Sequence, residues 1–184
     1  ESKKSLINQR EVHRDTLGFN EALRSALRED PDVVLIGEMR DRITMQAALT
    51  LAETGHLTFA TLHTAEAIQT VTRLIGTFPA DEQDQIRTQL ATTLHLVISQ
   101  QLIPWDNGTG RSLAAEVLVA TPAVKAMIRE NKLHQIASAM QTGTHLGMKT
   151  MNHALKELVD RELISKETAI SWSIDKDDMK RVLY

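Results

Sequence analysis

Two side chains stand where chemistry could be done. Glu38 closes the run Val33-Val34-Leu35-Ile36-Gly37-Glu38, and His63 closes Leu57-Thr58-Phe59-Ala60-Thr61-Leu62-His63. A carboxylate can sit in the shell of Mg²⁺ or polarise a water for attack, and an imidazole can sense or relay charge. Each follows a short aliphatic run, the mark of a strand buried on both faces of a parallel sheet. In open α/β sheets ligands bind beyond the carboxyl ends of the strands, so the two residues point to one shared site. Taken singly, Glu38 also fits a helix-capping or solvated carboxylate. Two polar groups at two strand ends favour the site.

The elements that must position them follow from spacing. Phe19, Leu23, Ala26 and Leu27 recur at helical intervals before Pro31, and Thr44 to Glu53 repeats the pattern with Met45, Ala48, Leu49 and Ala52 on one side. Strands are expected over 33–36 and 57–62. Helix and strand alternating at this length is the signature of βαβ units and a parallel sheet. Further helices are expected over 65–75 and 81–94, and a third strand over 96–103. Pro104 to Gly110 is turn chemistry, so 111–119 reads as the return strand of a hairpin at the sheet edge. After Thr121-Pro122, an N-cap followed by proline in the first helical turn, no strand run appears again. Helices are expected to begin near Pro122, Lys132, Met148 and Lys166, with Ser165 as a cap and Asp175 before a last short segment. The fold class is therefore α/β, half of an open sheet over 1–120 followed by a small all-helical subdomain over 121–184.

Leu27-Arg28-Glu29-Asp30-Pro31-Asp32-Val33-Val34-Leu35-Ile36-Gly37-Glu38-Met39-Arg40-Asp41 is the Walker B arrangement, a strand of four aliphatics delivering an acid. Gly37 replaces the usual Asp and leaves Glu38 alone. Together with Thr54-Gly55-His56-Leu57-Thr58-Phe59-Ala60-Thr61-Leu62-His63-Thr64, the stretch resembles the ATPases of type IV pili and type II secretion, the second segment being similar to their His box. Ser5 to Val12, Gly37-Glu38-Met39 and Ala123 to Glu130 resemble the retraction, or twitching-motility, branch of that family. Lys125, Ala126 and Met127 depart from the branch's usual C-terminal motif but keep its apolar face.

The resemblance implies a RecA-like, homo-hexameric motor at the inner face of the cytoplasmic membrane. It would hydrolyse ATP with Mg²⁺ to pull pilin subunits from the fibre, in concert with an inner-membrane platform protein. It implies that Glu38 is the general base or water-orienting acid, touching the Mg²⁺ shell indirectly, and that His63 senses the γ-phosphate or relays its loss between subunits. Gly37, Thr61, Thr64 and Arg40 are the nucleotide-side candidates, with Thr61 and Thr64 flanking His63. Arg40 and Asp41 also fit a structural ion pair. The arginines that would reach a neighbour's site cannot be chosen among Arg24, Arg28, Arg40, Arg73 and Arg87.

A phosphate loop needs Gly-x-x-x-x-Gly-Lys-[Ser/Thr], and no Gly-Lys pair occurs among the eight glycines. Gly108-Thr109-Gly110-Arg111 lacks the lysine. In the family this loop lies upstream, and the chain begins at Glu1 without an initiator methionine, so it reads as a C-terminal fragment that binds ATP weakly or not at all.

Composition bounds the alternatives. With 21 Lys and Arg against 24 Asp and Glu, a net charge of −3 and 3% aromatics, neither a basic field nor stacking surfaces favour nucleic acid. The absence of Cys excludes disulfides and thiolate zinc sites. No apolar stretch approaches the length of a membrane span, and the expected location is cytoplasmic. A metal site on His56, His63 and Glu66 is disfavoured because no His-Glu-x-x-His occurs. Met127, Met140, Met148 and Met151 read as core filler, and Gly143 to Gly147 as a helix terminus and loop. Two rivals remain: a pilus-extension or type II secretion ATPase, disfavoured by Met39 and by the lack of a four-Cys insertion, and a non-catalytic interaction or oligomerisation module built on 121–184.

Overall fold

The computed structural model describes residues 4–184. The chain forms two compact units, Glu1–Leu62 and His63–Tyr184.

In the first unit, α1 (Phe19–Ala26) and β1 (Val33–Ile36) flank the turn at Pro31. Helix α2 (Arg42–Glu53) starts at a reciprocal capping box. The Asp41 carboxylate accepts from the Thr44 amide at 2.9 Å, while the Thr44 hydroxyl lies 3.4 Å from the Asp41 amide. Strand β2 (Leu57–Ala60) pairs with β1 in parallel, Val33 opposite Leu57 through Ile36 opposite Ala60. This is the expected βαβ unit. Burial on both faces is not observed: Ile36 is buried, but Leu35 is 70% exposed, and Val33, Leu57 and Phe59 share its open side. Alternate residues of a strand face opposite ways, and α2, which packs on β2, covers one side only.

The second unit opens with α3 (Ala67–Gly76) and α4 (Gln83–Thr93). Strands β3 (Leu96–Pro104) and β4 (Arg111–Val119) then form the expected hairpin, antiparallel from Leu96 opposite Val119 to Pro104 opposite Arg111. Its turn is closed by the Asn107 side chain, which accepts from the Thr109 amide at 3.0 Å, and by Gly108 at a φ of 71°, a left-handed geometry suited to glycine. The hairpin does not extend a larger sheet as its edge. Among the described residues β3 and β4 form a two-stranded sheet of their own. A hairpin takes its register from its own turn and needs no third strand to set it.

The named elements after Val119 are all helical: α5 (Pro122–Arg129), a 3₁₀ turn at Leu133–Gln135 leading into α6 (Ile136–Thr142), a second at Thr144–Leu146, then α7 (Met151–Asp160), α8 (Lys166–Trp172) and α9 (Lys176–Leu183). Thr121, Thr150, Ser165 and Asp175 each cap the helix that follows by accepting a backbone N–H. Helix α7 starts at Met151 rather than near Met148. Lys149 exchanges two backbone hydrogen bonds with Val117 of β4, at 2.8 and 2.9 Å, and that extended pairing delays the helix to the Thr150 cap. Met151, Leu155 and Leu158 of α7 pack with Ile103, Ile164 and Met179 in one core. Met140, Met148 and Met151 are buried and Met127 partly so, which fits filler.

Candidate active site

Sequence places Glu38 immediately beyond β1, and the fold builds a braced turn there. Two hydrogen bonds continue the β1–β2 pairing past the strand ends: the Met39 amide donates to the Thr61 carbonyl at 2.9 Å, and the Thr61 hydroxyl donates to the Gly37 carbonyl. Met39 is itself buried. Glu38 is thus held from both sides along the backbone while its side chain stays one-quarter exposed. A Cβ placed on Gly37 would meet nothing within 4 Å, so the ground beside the carboxylate is open.

The Glu38 carboxylate accepts from Arg40 Nε at 2.7 Å, and a terminal guanidinium nitrogen lies 2.6 Å from the same oxygen, Oε2. The guanidinium is 79% exposed, and the hydrogen bond to Glu38, then its charge, holds the Arg40 pKa above its ordinary value. The expected Arg40–Asp41 ion pair is not formed. Asp41 is spent on the α2 cap, which leaves Arg40 to the nearer open carboxylate.

His63 and Thr64 open the second unit, where α3 organises them. Arg73 reaches back one helix length to donate to the His63 carbonyl at 2.9 Å, and the Thr64 and Thr70 hydroxyls pair at 2.6 Å. Thr61 and Thr64 therefore hold different things: Thr61 braces the Glu38 turn, and Thr64 ties the His63 segment to α3. Arg73 appeared in the sequence only as one of five interchangeable cations. Its spacing of ten from His63 was visible, but the local fold that turns that spacing into a hydrogen bond was not.

The donor set in the first unit is a carboxylate, a hydroxyl and a guanidinium around open ground. Oxygen donors suit the hydrated shell of Mg²⁺, and a guanidinium suits phosphate. These residues fit the flank of a Mg-nucleotide site. They do not supply a phosphate cradle, for which the sequence has no Gly-Lys loop.

A second carboxylate escaped sequence reading. Glu116 lies mid-strand in β4 and is 8% exposed; it accepts from the Ala67 amide at 2.6 Å and the Met151 amide at 3.1 Å. Burial, its largest influence, raises its pKa; the two amides oppose that shift, and the Glu66 charge adds to it.

Comparison with known proteins places these features in context. The model of the type II/IV secretion system protein family matches residues 1–168. The type IV pilus retraction ATPase PilT of Pseudomonas aeruginosa is 57% identical over 169 residues, covering 92% of this chain and 49% of that protein. A twitching motility protein of Neisseria gonorrhoeae is 55% identical over 169 residues, covering 92% of this chain and 45% of that protein. A crystal structure of the pilus retraction motor PilT with bound ADP superposes with a TM-score of 0.88 at 49% identity, covering 97% of this chain and 50% of that one. This chain spans about half the length of the relatives it matches.

Proposed function

Because this chain belongs to the type II/IV secretion system protein family, we propose that it is part of a homo-hexameric ATPase motor that drives type IV pilus retraction. Likeness to proteins named for retraction and twitching, over nine-tenths of the chain, favours this direction over extension or secretion. The observation that carries the catalytic reading is Glu38, fixed by Thr61 and Met39 just past a parallel strand, with open ground at Gly37.

In this reading residues 1–120 are the C-terminal half of the ATPase core and 121–184 a helical subdomain. The phosphate loop belongs to the remaining half of the longer protein. Glu38 orients water and accepts its proton at a carboxylate oxygen, a role worth about 10²- to 10⁴-fold in rate. Mg²⁺, when bound, neutralises charge on the phosphates. Arg40, now paired with Glu38, is the group that must swing away to free the carboxylate, and its exposure permits that. His63 reports the state of the γ-phosphate, held at its carbonyl by Arg73. No helix among the described residues is long and apolar enough to cross a membrane. In the proposed reading the motor works at the cytoplasmic face and acts on an inner-membrane platform protein.

The test compares Mg-ATP binding and hydrolysis by this chain, by the full-length protein, and by full-length Glu38→Gln. Turnover by the full-length protein alone, abolished by the substitution with assembly intact, is expected. Hydrolysis by the 184 residues alone, or turnover that survives Glu38→Gln, would overturn the assignment.

A further inference from the structure

We propose that Glu116 is a positioning residue that locks the His63 segment to the C-terminal helices through one carboxylate. The proposal rests on the functional reading of His63 given above. Ala67 and Met151, whose amides the two Glu116 oxygens accept, are the first residues of α3 and α7. The opening amides of a helix have no partner within it and carry the positive end of its dipole. One buried carboxylate therefore serves two helix N-termini at once.

For α3 the service is not duplicated. Its N-cap residue, Glu66, makes no side-chain capping hydrogen bond. Ala67 lies four residues after His63, and α3 then returns to that segment through Thr70 on Thr64 and Arg73 on the His63 carbonyl. On the other side, α7 is anchored by the Val117–Lys149 pairing and by Leu155 and Leu158 in the core. Glu116, next to Val117, is where these two rigid parts meet. A displacement of α7 must either carry the start of α3 with it or break a charge-assisted hydrogen bond in a buried site, and the His63 segment follows α3.

Glutamine tests this closely, because it keeps the shape of glutamate but has one accepting oxygen. Its NH₂ would face an amide N–H, so one helix must be released. The first readout is amide-resolved hydrogen exchange on the full chain, as a double-mutant cycle of Glu116→Gln with Thr150→Ala, which removes the α7 cap. Glu116→Gln should speed exchange by about tenfold, the scale of one such hydrogen bond, at the helix it releases, either over 63–70 or at the start of α7. Thr150→Ala should speed exchange over 63–70 when Glu116 is present and not when it is Gln. Equal effects of Thr150→Ala on 63–70 in both backgrounds would overturn the coupling. Should Glu116→Gln fail to fold, Thr150→Ala alone decides: unchanged exchange over 63–70 overturns the proposal, and faster exchange supports it. The second readout is turnover by the full-length protein, where Glu116→Gln should lower kcat several-fold with KM held. An unaltered kcat despite altered exchange would overturn the positioning role. Failure of the ATPase assignment would show instead as turnover insensitive to Glu38→Gln.

Discussion

Glu38 and Glu116 are strand-borne glutamates in opposite settings. Glu38 sits past the end of a two-stranded sheet covered on one side, and its carboxylate is paired with a guanidinium that is 79% exposed. Glu116 sits inside a hairpin packed under helices, and its carboxylate is held by two backbone amides. A side chain can swing out of an exposed pair at little cost, whereas a backbone amide cannot leave without moving its helix. The first setting suits a group that must exchange partners during a reaction, and the second a group that must keep them. The same residue type thus has a setting suited to chemistry in one place and to architecture in the other.

The largest expected effect lies on the exchangeable side. Glu38→Gln in the full-length protein should cost about 10²- to 10⁴-fold in turnover while leaving the thermal unfolding midpoint of the chain unchanged. A midpoint that falls with the activity would erase the distinction between the two glutamates.

The next effect contrasts what stands behind each carboxylate. Leu155 is fully buried in the core beneath α7, and its truncation to Ala should cost about 2–5 kcal/mol in denaturant unfolding. Leu35→Ala, on the open side of β1, should cost under about 0.5 kcal/mol. Comparable costs would mean that the open side of β1 is covered in solution.

Much of this was legible in the sequence, and the failures have a common cause. Val33–Ile36 and the caps at Thr121, Ser165 and Asp175 are local signals: an unbroken aliphatic run, or a hydroxyl or carboxylate just before a helix. The position of Glu38 just past β1 was legible because strand ends are local too. The open side of β1, the late start of α7 and the separate hairpin sheet all depend on what lies across the fold. Glu116 shows this most clearly. In sequence it is an ordinary polar residue in an alternating strand, and only partners 49 and 35 residues away make it a buried junction.

A smaller effect sharpens the Glu116 side through pH. Its folded-state pKa is raised, so the folded chain binds more protons than the unfolded one between the ordinary glutamate value of 4.5 and the raised value. The associated stability is complete below about pH 4.5 and is lost as pH rises through the folded pKa. Denaturant unfolding across this window should therefore show wild type losing ground to Glu116→Gln as pH increases. A constant difference between the two would mean that the two amides cancel the effect of burial, and wild type gaining ground as pH rises would mean that they outweigh it.

The smallest expected effect returns to Arg40. Its pair with Glu38 is solvent-exposed on the arginine side, where screening and side-chain entropy cancel most of the attraction. Arg40→Ala should leave the unfolding midpoint of the chain indistinguishable from wild type at 0.15 M and at 1 M salt, since no buried group loses its partner. The turn that presents Glu38 should survive as well, because Thr61 and Met39 hold it through backbone atoms that the substitution does not touch. In the full-length protein the same change should, on the proposed reading of Glu38, alter turnover without altering assembly, because the partner to be shed is gone. A lowered midpoint would show that the pair is structural, and it would place Glu38 among the groups that keep their partners, beside Glu116.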